Sequence, residues 1–293
     1  MPTPSLGYYL GGHAWSVKEW VGSFFPKGTS ASQYLTSYSQ RVNAVEGNST
    51  FYGLPKMDLI HRWMDQAEEG FLFCFKFPQR ITHHNQLEHC RSDLESFLEI
   101  LSVAQSKTHL GPALLQMGPR FGAAQFSKLE AFINRLPSEF EYAVEVRHSD
   151  FFDNGANERN LHALLRDNHI DRAVFDTRAL YAKPPSDESE AIAQKKKPKV
   201  PLCQTATGRH PMVRLVGRNV MADNGLWLKD WVPQVAHWIH QGKTPYIFVH
   251  TPDDRFFPEQ ALAFHEALRL KVNHLPKLPF SLEADSSSQL SLF

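Results

Sequence analysis

Eight short apolar runs, each followed by a segment with helical spacing, constrain this chain more than any other feature. The runs are residues 6–10, 42–47, 71–77, 113–117, 142–147, 172–177, 212–217 and 246–251. Between them, residues 88–105, 124–136, 157–168 and 226–241 repeat apolar positions at helical spacing. Strands that alternate with helices require parallel crossover units, and eight units predict an α/β fold closed as a (β/α)8 TIM-type barrel in a single domain. An open dinucleotide-binding sheet is the competing arrangement. It is disfavoured because the first run leads only into Gly11-Gly12-His13, too short for the glycine-rich turn that cradles a pyrophosphate.

With 293 residues, 42% of them hydrophobic, the chain can bury a sizeable core. Acidic and basic residues number 31 each, so attraction to nucleic acid must come from a local patch. Cys74, Cys90 and Cys203 are too few and too widely spaced for a disulfide framework or a structural zinc site, which suggests a reducing compartment. No basic leader with an apolar core opens the sequence, and no run approaches a membrane span; a cytoplasmic protein is expected. The connection at about 178–211 is long and carries Lys195-Lys196-Lys197-Pro198-Lys199, so it is expected to be a mobile loop. Residues 273–293, rich in Pro, Ser and acidic side chains, read as a flexible tail.

Strand parity locates a polar set. In the third run the phenylalanines at 71, 73, 75 and 77 share one face, which leaves Leu72, Cys74 and Lys76 pointing into the barrel. The same alternation groups Glu46 and Asn48 with Ala44, Gln116 with Leu114, Glu145 and Arg147 with Ala143, Asp176 with Val174, and Arg214 with Met212. Each polar residue falls near the C-terminal end of its strand, the face on which barrel enzymes build their sites. A balanced ion network that merely fills the barrel is the alternative, but buried ion pairs are poor stabilisers.

Four stretches carry a resemblance: Val45-Glu46-Gly47-Asn48-Ser49-Thr50-Phe51-Tyr52-Gly53-Leu54-Pro55, the Phe75-Lys76-Phe77-Pro78 motif with Ile81-Thr82-His83, Leu114-Leu115-Gln116-Met117-Gly118-Pro119-Arg120-Phe121, and Ala143-Val144-Glu145-Val146-Arg147-His148. In this order they resemble the YecE-like family (domain of unknown function family 72), which has a TIM-type barrel. The resemblance spans about residues 6–268 and implies no particular reaction. Its characteristic polar positions correspond to Glu46, Asn48, Thr50, Tyr52, Lys76, Thr82, His83, Gln116, Glu145, Arg147 and His148. Two departures concern the second half of the pocket. Many members carry Arg-Leu-His-Gly-Arg where this chain has Arg214-Leu215-Val216-Gly217-Arg218, and Phe-Asn-Asn where it has Val249-His250-Thr251-Pro252-Asp253.

The polar set suggests chemistry. Glu46 and Glu145, with His148 and Asp176, are the catalytic candidates, provided burial raises one carboxyl while the other stays paired with a cation. Asn48, Thr50, Tyr52, Lys76, His83, Gln116, Arg147, Arg214, Arg218 and His250 are the substrate-binding candidates, with the arginines suited to phosphate or carboxylate. His83, His148 and His250, with Glu145, Asp176 and Asp253, also offer ligand types for a divalent metal. Spacing over several strands does not favour that reading. No nucleophile elbow, Walker loop or H-E-x-x-H helix is present in the sequence.

The sequence closes on Gln289-Leu290-Ser291-Leu292-Phe293, which resembles the peptide by which bacterial polymerases and repair proteins engage the replicative sliding clamp. The expected function is therefore a barrel enzyme that hydrolyses a phosphorylated or nucleic-acid-derived substrate and is brought to the clamp by this peptide. A non-catalytic, anion- or nucleic-acid-binding clamp adaptor and a small-metabolite enzyme are the alternatives.

Overall fold

The structure, a computed structural model, describes residues 7–282. Eight strands form where the apolar runs place them: β1 (Tyr9–Gly11), β2 (Ala44–Gly47), β3 (Leu72–Phe75), β4 (Ala113–Gln116), β5 (Tyr142–Glu145), β6 (Asp171–Asp176), β7 (Met212–Val216) and β8 (Tyr246–His250). All named pairings are parallel; β1, β8, β7, β6, β5 and β4 are joined in that order, and β2 pairs with β3. The two seams between these sheets are bridged. At the β3–β4 seam the Phe77 N–H donates to the Leu114 carbonyl at 3.0 Å. At the β1–β2 seam the Glu46 N–H donates to the Gly12 carbonyl at 3.0 Å, and the Asn43 amide spans the Leu10 N–H and the Tyr8 carbonyl. Gly11 permits this approach, since a Cβ there would sit 1.9 Å from the Ala44 carbonyl oxygen. The outcome is a curled parallel sheet, TIM-barrel-like, with its helices on the outside.

The helices are α1 (Tyr34–Ser39), α2 (Ser49–Tyr52), α3 (Met57–Gln66), α4 (Arg91–Ser106), α5 (Phe126–Ile133), α6 (Ala156–Asp167), α7 (Glu188–Lys196), α8 (Val232–His240) and α9 (Phe257–Arg269). In α4 the buried positions Phe97, Ile100, Leu101 and Ala104 recur every three or four residues, forming one stripe against the sheet. Outward-facing Val45, Phe73, Phe75, Leu115, Val144, Val213 and Val249 belong to the same apolar layer. Inside, Ala44, Cys74, Leu114, Ala143, Ala173, Met212 and Phe248 fill a second, separate core. This inner layer keeps water from the floor of the polar mouth above it.

Three expectations need correction. In β6, Ala173 joins the inner layer while Val174 joins the outer one, so Asp176 faces the helices and not the interior. The period-2 signal misleads there because the polar residues Arg172 and Asp176 lie on the outward face, satisfied by Glu158 and Trp231 among the helices. The long connection is a packed strap rather than a loose loop: α7 lies within it, Asp187 caps the helix by accepting from the Glu190 N–H, and Ala193, Leu180 and Val200 cover Phe175 and Val216. Finally, Leu275 and Leu278 are buried, and the Phe280 ring meets Phe24 edge-on at 4.9 Å, so the packed body extends well past Val272.

The strap is anchored by a buried Arg218–Glu190 pair at 2.7 Å, with Glu190 also accepting from the Asn219 N–H. Arg218→Ala strands the Glu190 carboxylate and should cost about 3–5 kcal/mol. Native-state proteolysis should then cut between Pro184 and Pro201, where the wild type resists; an unchanged digestion pattern and denaturation midpoint would contradict the anchoring role.

Candidate functional site: a cationic barrel mouth

Side chains from β2, β5, β7 and β8 meet at the barrel mouth. Arg214 lies at the centre, donating from Nε and Nη2 to the two Glu46 carboxylate oxygens at 2.7 Å each and from Nη1 to Glu145 at 2.5 Å. Glu145 in turn accepts from Arg147 Nε at 2.6 Å, and Arg147 Nη2 donates to the Gln116 side-chain oxygen at 2.8 Å. Both guanidinium groups lie over the Phe175 ring, at 4.4 Å for Arg147 and 4.9 Å for Arg214. His250 Nε2 reaches Glu46 at 3.0 Å, and the His250 ring stacks on His13, which pairs with Asp254 at the rim.

Burial alone would push both carboxyls up, but Arg214 with His250 holds Glu46 well below the ordinary range, and Arg147, Arg214 and Lys76 hold Glu145 low. The expectation that one of them becomes a raised general acid therefore fails: both are ionised partners of arginine. Burial, only partly offset by Glu46, pushes His250 well below its ordinary value. His83 is lowered to about 4 by burial and by Lys76 and Arg147, so it is a neutral imidazole; it touches Thr82 at 2.8 Å and Gln116 at 3.5 Å.

Two amines complete the mouth. Lys76 follows β3, is 6% exposed, and places its Nζ 3.8 Å over the Phe51 ring. Burial first, then Arg214 and Arg147 against the opposing pull of Glu46 and Glu145, push it down to about 7. Lys197 is the residue that sequence reasoning missed, being grouped with a solvated charge run. Its backbone is extended because Pro198 follows, which ends α7 and separates Lys197 from exposed Lys195 and Lys196. Its ammonium faces the fields of Arg214, Glu46, Arg147 and Asp254, and burial with Arg214 pushes it down to about 8.

The remaining candidates lie elsewhere. Asp176 accepts from Trp231 Nε1 and pairs with Arg178, both at 2.8 Å. Arg218 is spent on Glu190, Asp223 and the Lys183 and Pro184 carbonyls. His148 accepts from the Asp150 N–H in the loop after β5, Thr50 hydrogen-bonds the Lys76 carbonyl, Asn48 contacts the His13 carbonyl, and Tyr52 is exposed. Asp253 accepts from its neighbour Arg255. His83, His148, His250, Glu145, Asp176 and Asp253 do not converge as a ligand set. Among the described residues the one group with metal-ligand spacing is Glu158, His162 and Cys203, and Arg172 Nη1 already bonds Glu158 and His162.

Residues 9–283 match the family described as "Protein of unknown function DUF72", and the chain is 36% identical over 271 residues to the UPF0759 protein YecE of Escherichia coli strain K12, covering 92% of this chain and 96% of that protein. The chain belongs to the DUF72 family. Its fold is similar to that of a DUF72 family protein from Thermotoga maritima MSB8, with a TM-score of 0.65, 21% identity and coverage of 91% of this chain and 99% of the other. A DUF72 family protein from Enterococcus faecalis V583 gives the same TM-score at 17% identity, covering 91% of this chain and 97% of the other. In this DUF72 chain no helix among the described residues is long and apolar enough to cross a membrane.

The ion set fixes the pH dependence of stability. The depressed carboxyls Glu46 and Glu145 contribute stability that is complete above the ordinary carboxylate range and lost as pH falls through their folded values. Lys76 acts differently: between about 7 and 10.5 the unfolded lysine binds a proton that the folded one does not, so stability rises with pH across that window. Urea midpoints should therefore climb from pH 7 to pH 10, and less steeply in Lys76→Met; parallel slopes would contradict the burial of an unpaired amine. Glu145→Gln, which strands Arg147 and one arm of Arg214, should cost about 3–5 kcal/mol. An unchanged midpoint would contradict the bridging role.

Proposed function

We propose that the barrel mouth binds an anionic, phosphorylated or nucleic-acid-derived substrate and that the C-terminal peptide brings the protein to the replicative sliding clamp. The observation that carries the first part is the charge inventory: four cations, Lys76, Arg147, Lys197 and Arg214, share the inner set with two carboxylates, Glu46 and Glu145. Arg214 uses Nε, Nη1 and Nη2 on those carboxylates, which makes it a strut. The charge left for a ligand belongs to Lys76, Lys197 and the outer edge of Arg147. A phosphate there would find two amines and a guanidinium above a dry apolar floor, where charge-assisted hydrogen bonds are strong.

This inventory also changes the expected hydrolysis. With both glutamates ionised, the groups able to exchange a proton near neutrality are Lys76 and Lys197. A hydrolase or phosphoesterase at this site would draw its base from an amine, a role that buried lysines take readily. The second part rests on Gln289, Leu290, Ser291, Leu292 and Phe293, which lie outside the described residues. Their pattern suits a groove that buries the leucines and phenylalanine, each worth about 1.5–3 kcal/mol before the ordering cost.

Each part has its own test. Calorimetry with inorganic phosphate in buffers of different ionisation enthalpy should show proton uptake on binding, and affinity should fall as pH rises through 7 to 8, because the anion favours the protonated lysines. Binding without proton linkage, or none, would contradict the anion site. For the tail, the full chain should bind purified clamp with a Kd of about 1 μM, or about −8 kcal/mol. A chain ending at Ser288 should not bind, and equal binding by both would contradict the clamp reading.

A further inference from the structure

We propose that Lys76 is a nucleophile that forms an imine with the carbonyl carbon of a phosphorylated aldehyde or ketone held at the barrel mouth. The inference rests on the anion-site reading and names its substrate class. A lysine buried for structural reasons is normally paired with an acid. Exposed Lys107 and half-buried Lys128 do pair, with Asp65 and Glu88. Lys76 does not: among the described residues the two nearby carboxylates, Glu46 and Glu145, are bound by Arg214 and Arg147, and the Lys76 amine lies over the face of Phe51.

The surroundings suit a neutral amine. Arg214 on β7, Arg147 beyond β5, His83 after β3, and the carboxylates Glu46 on β2 and Glu145 on β5 are the ionisable groups whose fields reach Lys76 or which feel its own. The cations among them disfavour a further positive charge and can anchor a phosphate beside the amine. Beneath lie Cys74, Leu114 and Ala143, which exclude water from a step that releases it.

In that step the Nζ lone pair attacks the carbonyl carbon, a C–N bond forms, and the carbonyl electron pair moves to oxygen, which takes a proton. That proton comes from the nitrogen, relayed by the neutral imidazole of His83, whose ring meets Phe51 edge-on at 5.2 Å. Loss of the hydroxyl with a proton, as water, leaves the C=N bond. Amine and carbonyl become imine and water, with no oxidant or reductant required.

The test is reductive trapping. The full chain is incubated with glyceraldehyde 3-phosphate and borohydride at pH 7, digested, and its lysines compared by mass spectrometry. Lys76 should be labelled on the order of a hundredfold faster than exposed Lys195 and Lys196, since an ordinary lysine is almost wholly protonated at that pH. Unphosphorylated glyceraldehyde should label it less, inorganic phosphate should protect it, and Lys76→Arg and Lys76→Met should lose the adduct while keeping the wild-type far-UV spectrum. Labelling spread over exposed lysines in a wild-type protein that binds phosphate overturns the imine and leaves the anion site standing. Absence of both labelling and phosphate binding overturns the two together.

Discussion

One guanidinium organises the mouth of this barrel. Arg214 arises from the middle of β7 and reaches across the interior to Glu46 on β2 and Glu145 on β5. A charge this deeply buried is tolerated only when its donors are matched, and here the two carboxylates match them at 2.5–2.7 Å. The strut fixes the ionisation of everything around it. It holds both glutamates in their charged form and adds to the burial that lowers Lys76 and Lys197, while burial itself keeps His250, the hydrogen-bond partner of Glu46, well below its ordinary value.

The chemical consequence is an inversion of the usual roles. In many sites a raised carboxyl supplies the proton and cations bind the substrate. Here the carboxylates are locked in pairs, and the groups near neutrality are amines. On the proposed reading, two lowered lysines beside arginines would serve an anion and supply a nucleophilic or basic nitrogen. Val216 packs under the strap and His250 bonds to Glu46, so the second half of the mouth supports the strut and its cover.

Much of this was readable from the residues because β3, β4, β5 and β7 alternate cleanly. The four phenylalanines at 71, 73, 75 and 77 point Lys76 inward, and the same parity places Glu46, Gln116, Glu145 and Arg214 on the inner face, where the structure has them. The signal fails where polar residues point outward. In β6 Arg172 and Asp176 share the face that meets the helices, where they bind Glu158 and Trp231, so parity alone sends Asp176 to the interior and hides Phe175, the ring beneath both arginines. Lys197 was hidden by composition: four neighbouring charges look like a solvated loop, and only the helix-ending effect of Pro198 hints that one lysine leaves the run. The strap itself is held by contacts far apart in sequence, such as Glu190 with Arg218, which no local pattern encodes.

The central claim is that an unpaired, buried amine sits within an anion-binding mouth. It is tested most directly by carbon-detected NMR of lysines labelled at Cε, titrated with and without inorganic phosphate. The Lys76 resonance should titrate near 7 in the free protein and move to higher pH when phosphate is added. A Lys76 signal that titrates above 10, and does not respond to phosphate, would contradict the account.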